Sequence, residues 1–387
     1  MTTLLAERTE RWSRALNLLC IRLDNMGDVL MCTPALRALK NVSHAPRGAR
    51  TRRLTLLASP SGAAVARHIP EVDGVVAYQA PWMKASAAHS PSIDRDLVQK
   101  LACAQFDGAV IFTCHSQSPL PAALLCSLAG IPLALAHCRE NPYALLSDWI
   151  AECEPQRGVR HEAQRQLDLV AEIGAWTLDT RLSFRVETCD RASLREKIVR
   201  LDLIDAQGST TAPRPYLVLH PGATAASRRY PPDRFASVAR ALVRGLGVPV
   251  LVTGDVSEKA LVERIVAGAG RGALNVAGML SLGELAALID DALLLLSNNT
   301  GPVHIAAALG TPVVDLYALT NPQHTPWQVA HRVLNRDVPC RDCYKSVCPR
   351  GTGACLDVAP DEVVAAAFAL ASERATRFTS TSHSLYT

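Results

Sequence analysis

Residues 292–317 read ALLLLSNNTGPVHIAAALGTPVVDLY. The apolar run at 292–297 is short enough to be a strand buried on both faces. A loop of small and polar residues follows at 297–301. Pro302 then favours a helix start, because it lacks an N–H that the first helical turn would leave unpaired. The helix predicted over 302–309 stops at Gly310, and Thr311-Pro312 leads into a second apolar strand at 313–317. A strand, helix and strand in so short a stretch form a crossover unit, which makes the two strands parallel.

The same alternation continues outward. Strands are predicted at 216–220 and 248–253, with a short one at 275–277. Helices are predicted at 232–246, 257–267 and 282–289. In the first half, strands are expected at 16–23, 54–58, 74–78 and 109–113, with helical patterns through Leu36 and Leu39 and at 164–173. A chain of 387 residues exceeds what one core usually serves. The polar, turn-rich stretch DAQGSTTAPRP at 205–215 reads as the break between two α/β halves. The expected plan is a first domain at 1–205, a linker at 206–215, a second domain at 216–373 and a Ser/Thr-rich flexible tail at 374–387. Each half should be a doubly wound parallel sheet.

Composition narrows the function. Hydrophobic residues make up 49% and charged residues 20%, the profile of a globular chain. A net charge of +4 over this length, with 5% aromatics, excludes nucleic acid as the expected partner. The longest apolar candidate, 282–296, is interrupted by Glu284, Asp290 and Asp291, so no membrane-crossing helix is expected. Residues 1–14 carry mixed charges without a secretory apolar stretch, so a cytoplasmic location is expected. In that reducing compartment the twelve cysteines should not form a disulfide framework. Cys20, Cys114 and Cys126 lie in apolar runs and read as small core residues.

Parallel open sheets bind ligands beyond the carboxyl ends of their strands, so the post-strand loops carry the search. In the first, Gly27 permits a tight turn and Asp28 opens a helix, where a carboxylate could accept a proton or simply cap the helix. The second runs from His220-Pro221-Gly222 through Thr224 to Arg228 and Arg229. Its small residues and two guanidinium groups suit a diphosphate, though an ordinary turn with solvated arginines would read the same. In the third, Asn299, Thr300 and Gly301 precede the helix at Pro302, whose N-terminus attracts anions, with His304 in its first turn. Gly254-Asp255, with Ser257 and Glu258 beyond, could hold ribose hydroxyls or cap the next helix. Asp94-Arg95-Asp96 has spacing for a divalent metal but reads better as a solvated helix start. The usual NTP loop and dinucleotide glycine motifs are missing from the sequence.

Taken in order, these segments resemble glycosyltransferase family 9, the lipopolysaccharide heptosyltransferases. The resemblance is carried by Ile21-Arg22-Leu23, Gly27-Asp28-Val29-Leu30 and Thr33-Pro34-Ala35-Leu36. It continues at His220-Pro221-Gly222-Ala223 and Arg228-Arg229-Tyr230-Pro231, and is strongest from Asn299 to Pro312. It implies a GT-B architecture, two Rossmann-like domains facing a cleft. The C-terminal half would hold a nucleotide-sugar donor, typically ADP-heptose, and the N-terminal half the acceptor. It implies Asp28 as catalytic base and Arg228 as a phosphate contact. Thr300, Gly301 and His304 would lie at the donor diphosphate, and Glu258 matches a ribose-binding carboxylate more loosely. It also implies a single inverting displacement without a catalytic metal or other cofactor. Where the family has Asp, this chain has Asn299. A glycolipid acceptor on lipopolysaccharide core is expected, with peripheral contact at the inner membrane. A protein or small-molecule acceptor, a sugar-nucleotide epimerase and a non-catalytic binding module are the alternatives.

Cys340, Cys343, Cys348 and Cys355 stand apart from the other cysteines. The first pair has metal-ligand spacing and four thiolates suit zinc or iron. With Pro339, Pro349, Gly351 and Gly353 between them, a structural knuckle is expected; four unligated thiols in a surface loop is the alternative.

Overall fold

A computed structural model describes residues 2–41, 51–83, 89–199 and 215–383. The chain divides into two compact units, Met1–Arg185 and Val186–Thr387.

The first unit runs α1 (Thr2–Ser13), β1 (Asn17–Arg22), α2 (Met26–Met31), α3 (Thr33–Lys40), β2 (Arg53–Ala58), α4 (Pro60–Ala66), β3 (Gly74–Ala77), α5 (Pro91–Cys103), β4 (Gly108–Ile111), α6 (Leu120–Leu128), β5 (Ala134–Cys138), β6 (Asp148–Ala151) and α7 (Glu162–Ala171). Its six strands are parallel in the order β3-β2-β1-β4-β5-β6. The central strands β1 and β4 are buried almost throughout, which is why they read as unbroken apolar runs.

The second unit runs α8 (Thr188–Val199), β7 (Leu217–His220), α9 (Pro232–Leu246), β8 (Val250–Val252), α10 (Lys259–Ala269), β9 (Ala273–Asn275), α11 (Leu282–Asp291), β10 (Leu295–Asn298), α12 (Gly301–Leu309), β11 (Val313–Leu316), β12 (His331–Leu334) and α13 (Pro360–His383). Its strands are also parallel, in the order β12-β11-β10-β7-β8-β9. Read from β9, this repeats the strand order of the first unit. Each sheet therefore has a switch point beside its first strand, between β1 and β4 in one and between β7 and β10 in the other. Such points leave a crevice at the strand ends, where ligands bind. Gly310 ends α12 in the left-handed region, at φ 76°, a conformation that costs glycine little.

Three strands escape the sequence reading: β5, β6 and β12. They carry Ala, His, Asp or Arg among few β-branched residues, so their apolar signal is weak. β9 lies two residues earlier than predicted. The division falls after Arg185, not at the expected linker, of which 206–214 lies outside the described residues. α8 belongs to the second unit because it packs on α11, where Ser193 and Lys197 both reach the Glu284 carboxylate. The backbone of 374–383, expected as tail, continues α13 as helix.

Candidate active site

The second unit gathers four post-strand loops at the carboxyl edge of its sheet. Asn298, the last residue of β10, is fully buried. Its Oδ1 accepts the Tyr230 N–H at 3.0 Å, and its Nδ2 donates to the Pro221 carbonyl at 2.6 Å. One side chain thus ties the loop after β10 to the loop after β7. Thr300 is the N-cap of α12 in extended backbone, and its hydroxyl makes no capping hydrogen bond. The first-turn N–H groups of α12 and the aligned peptide dipoles favour an anion there. His304 is buried in the same helix.

Arg228 ends a short turn, Ala226–Arg228, and its Nη2 donates to Asn321 Oδ1 at 2.9 Å. Asn321 also accepts from the Thr320 hydroxyl, and its Nδ2 meets His324 Nδ1 at 2.6 Å. The guanidinium is therefore positioned by the loop after β11. Arg229 turns back to the Ala223 carbonyl and is exposed, so only one of the two arginines joins this cluster. Thr224 is exposed in the same loop. Asn299 is buried; its Nδ2 donates to the His324 carbonyl at 2.9 Å and reaches Asp315 Oδ2 at 3.3 Å. Burial pushes the Asp315 carboxyl up to about 8, against the Asn299 hydrogen bond and the Arg228 charge. Asp315, Asn321 and His324 were not anticipated from sequence. The available signal was a polar run, 320–324, directly after a predicted strand.

Asp255 caps the turn after β8 through Ser257 and Glu258 N–H, and Glu258 returns the bond from Oε2 to Asp255 N at 3.0 Å. The capping role is thus formed. The other oxygen of Glu258 lies over Gly222, where an added Cβ would stand 2.0 Å from Oε1. The loops after β7 and β8 meet there because residue 222 has no side chain. Gly222→Ala should displace Glu258, break that reciprocal cap and cost about 0.5–2 kcal/mol in urea unfolding. An unchanged unfolding midpoint would contradict this. Burial pulls the His220 imidazole down to about 4 despite the Asp255 carboxylate, and its Nδ1 meets Thr253 Oγ1 at 3.0 Å.

In the first unit, Arg22 ends β1 fully buried and is faced by three carboxylates. Nη1 lies 2.6 Å from Glu162 Oε1, Nε 2.8 Å from Asp24 Oδ2, and Nη2 3.3 Å from Asp28 Oδ1. Asp28 is also the capping partner of α2, accepting the Asn25 N–H at Oδ2. Gly27 is buried in the first helical turn, not in a tight turn of its own. Gln117, after β4, donates to Asp24 at 2.5 Å and so joins both sides of the switch point. Burial raises the Asp24 carboxyl, and Arg22 opposes it. Arg22, Asp24, Glu162 and Gln117 were missed as site residues because no single segment holds them. Asp94 opens α5 as expected, with partners Tyr78 and His89.

Cys340, Cys343, Cys348 and Cys355 line one cavity of about 310 Å³ together with Ser227 and Thr320. Backbone N–H groups, first that of Gly353, hold the Cys348 thiol below its ordinary value. Among the described residues, however, no three His, Cys, Asp or Glu are placed to hold a metal ion. The expected zinc or iron knuckle is not a formed site here. The loop turns through left-handed backbone at Asp342, Tyr344, Gly351 and Gly353, which spreads the thiols around the cavity wall. It does brace the Arg228 segment: Ser227 N donates to Ser346 O at 3.0 Å and Ser227 Oγ to Lys345 O at 2.7 Å.

Two Rossmann-ordered sheets, each with polar side chains converging at its switch point, define a doubly wound α/β protein of the nucleotide-binding kind. The chain belongs to glycosyltransferase family 9 (heptosyltransferase), whose family model matches residues 95–352. It is similar to lipopolysaccharide heptosyltransferase 3 of Escherichia coli K12, with 31% identity over 43% of this chain and 46% of that protein. It is similar at 31% to lipooligosaccharide heptosyltransferase 2 of Haemophilus ducreyi, over 40% and 47%. The chain thus matches about half the length of these curated relatives. Among solved structures, a family 9 glycosyl transferase from Veillonella parvula superposes with TM-score 0.74 at 21% identity, covering 92% of this chain and 97% of that one. E. coli ADP-heptose lps heptosyltransferase II gives 0.69 at 20%, covering 92% and 99%. These likenesses establish the GT-B fold expected from sequence.

Proposed function

We propose that the protein is an inverting glycosyltransferase that moves a heptose from ADP-heptose to an acceptor hydroxyl on lipopolysaccharide core. The observation that carries this reading is the pairing of Arg228, fixed by Asn321, with the N-terminus of α12 at one edge of the second sheet. Together they offer a diphosphate one guanidinium and a set of backbone N–H groups. Arg228, Thr300, Gly301 and His304 would receive the diphosphate, with Thr224 at its margin. Glu258 would take ribose hydroxyls through the oxygen that lies over Gly222. Asp28, with Gly27 shaping its helix, would accept the acceptor's proton as the hydroxyl attacks the anomeric carbon. The bond to the diphosphate breaks on the opposite face, and its departing charge falls to Arg228 and α12. The names of the curated relatives support a heptose and a lipopolysaccharide acceptor. Among the described residues no helix is long and apolar enough to cross a membrane, so a lipid-linked acceptor would be met by peripheral contact.

A thermal-shift panel of ADP-, GDP-, UDP- and dTDP-sugars tests the donor. A ligand at a hundred times its Kd stabilises the native state by about 2.7 kcal/mol. ADP-heptose should give the largest rise in Tm. A shift with UDP-sugars alone, or with none, would overturn the donor assignment.

A further inference from the structure

Asp315 stands on β11 beside Ser297 of β10 and is fully buried. Its printed hydrogen bond comes from Asn299 Nδ2 to Oδ2, while Oδ1 accepts none among the described residues. The same Asn299 nitrogen holds the His324 carbonyl, and His324 meets Asn321, the residue that holds Arg228. One carboxyl therefore anchors the amide that joins the loop before α12 to the loop after β11. Both loops carry groups of the proposed diphosphate site.

We propose that Asp315 is a positioning residue for a nucleoside diphosphate. It acts through Asn299 on the α12 N-terminus and through charge on Arg228, and it serves this role in its protonated form. The inference rests on the donor reading above. A neutral carboxyl leaves the Arg228 charge to the ligand. An ionised one competes for that guanidinium and adds a buried negative charge near two phosphates. Donor binding should then weaken as Asp315 loses its proton. Its folded-state value of about 8 lies above the ordinary carboxylate value of 3.8, so that loss falls in the mildly alkaline range. The other ionisable groups around it are Arg228 and Tyr317, with Asp342 beyond Tyr317, His324 one hydrogen bond further, and His304 on α12, which packs on β11. All of these are retained when residue 315 alone is changed.

The test is calorimetric titration of the full chain with ADP at about pH 7.5 and about pH 9, for wild type, Asp315→Asn and Asp315→Ala. Wild-type affinity should fall about 5- to 10-fold between the two, since binding and one deprotonation are linked. Asp315→Asn keeps an acceptor for Asn299 and cannot ionise. It should bind within about twofold of wild type at the lower pH and lose no more than about twofold at the higher. Asp315→Ala lacks that acceptor and should bind about tenfold more weakly at both. A pH loss in Asp315→Asn equal to that of wild type would overturn the inference while leaving the donor reading intact. Failure of wild type to bind ADP at either pH would overturn the donor reading, and this inference with it. Should Asp315→Ala not fold, the melting temperature of the ligand-free Asp315→Asn protein supplies a second readout. Wild-type stability should decline as pH rises from about 4 to about 8, because the folded state holds the extra proton, and the Asn variant should lack that slope. Parallel slopes would reject the titration.

Discussion

Asp28→Ala should lower kcat by about 10²–10⁴-fold, the range a positioned general base contributes, while donor affinity stays within about twofold. The separation is expected because every residue proposed to hold the donor diphosphate and ribose belongs to Val186–Thr387, whereas Asp28 opens α2 of the other unit. The carboxylate has two structural contacts, Arg22 Nη2 at 3.3 Å and the Asn25 N–H at 3.2 Å. Alanine therefore removes both a proton acceptor and a cap, and the lost cap alone costs about 1 kcal/mol. Asp28→Asn separates the roles, since the amide oxygen still accepts the Asn25 N–H but has no useful basicity. Its kcat should fall as far as that of the alanine variant, with stability near wild type. Steady-state kinetics with donor titration decides it. Equal losses in kcat and donor affinity would reject the base assignment.

Arg22→Met should destabilise the first unit by about 3–5 kcal/mol, the usual result of removing one partner from a buried charge cluster. Arg22 is 0% exposed, and so is Glu162, its nearest partner. Without the guanidinium, Glu162, Asp24 and Asp28 would face one another with no cation between them. Their folded-state values would rise above those of the unfolded chain, so the native variant would hold the extra protons. Stability would then fall as pH climbs above the ordinary carboxylate range. The loss should be larger at about pH 8 than at about pH 5, where protonation relieves the repulsion. Urea unfolding at both values checks this; the same loss at each would show that repulsion is not the cause.

Much of the fold was legible in the chain. Strands β1, β2, β7, β10 and β11 are buried on both faces, so selection for burial wrote them as apolar runs between turn residues. Pro232 and Gly247 bracket α9 at the predicted bounds. The poorly legible strands are β5, β6 and β12, whose composition gives weak apolar runs. The donor loops could be found because they follow strands, but not the way their side chains point. Asn299 was expected at the start of a helix; it turns instead to Asp315 and His324, and Thr300 takes the N-cap position. The cysteine spacing suggested a knuckle, yet local turns distribute the four thiols around a cavity.

The sequence by itself determined two doubly wound halves and the loops where chemistry could sit, because hydrophobic periodicity and turn residues act locally along the chain. Only the tertiary structure decided which polar groups meet. Arg22 and Glu162 are 140 residues apart in sequence, and Arg228 and Asn321 are 93. Their encounters follow from strand order: parallel sheets wound outward from a switch point bring the ends of distant strands to one edge. A carboxylate such as Asp315 reads as an ordinary strand residue until its neighbours are known, since burial and a single amide partner set its charge.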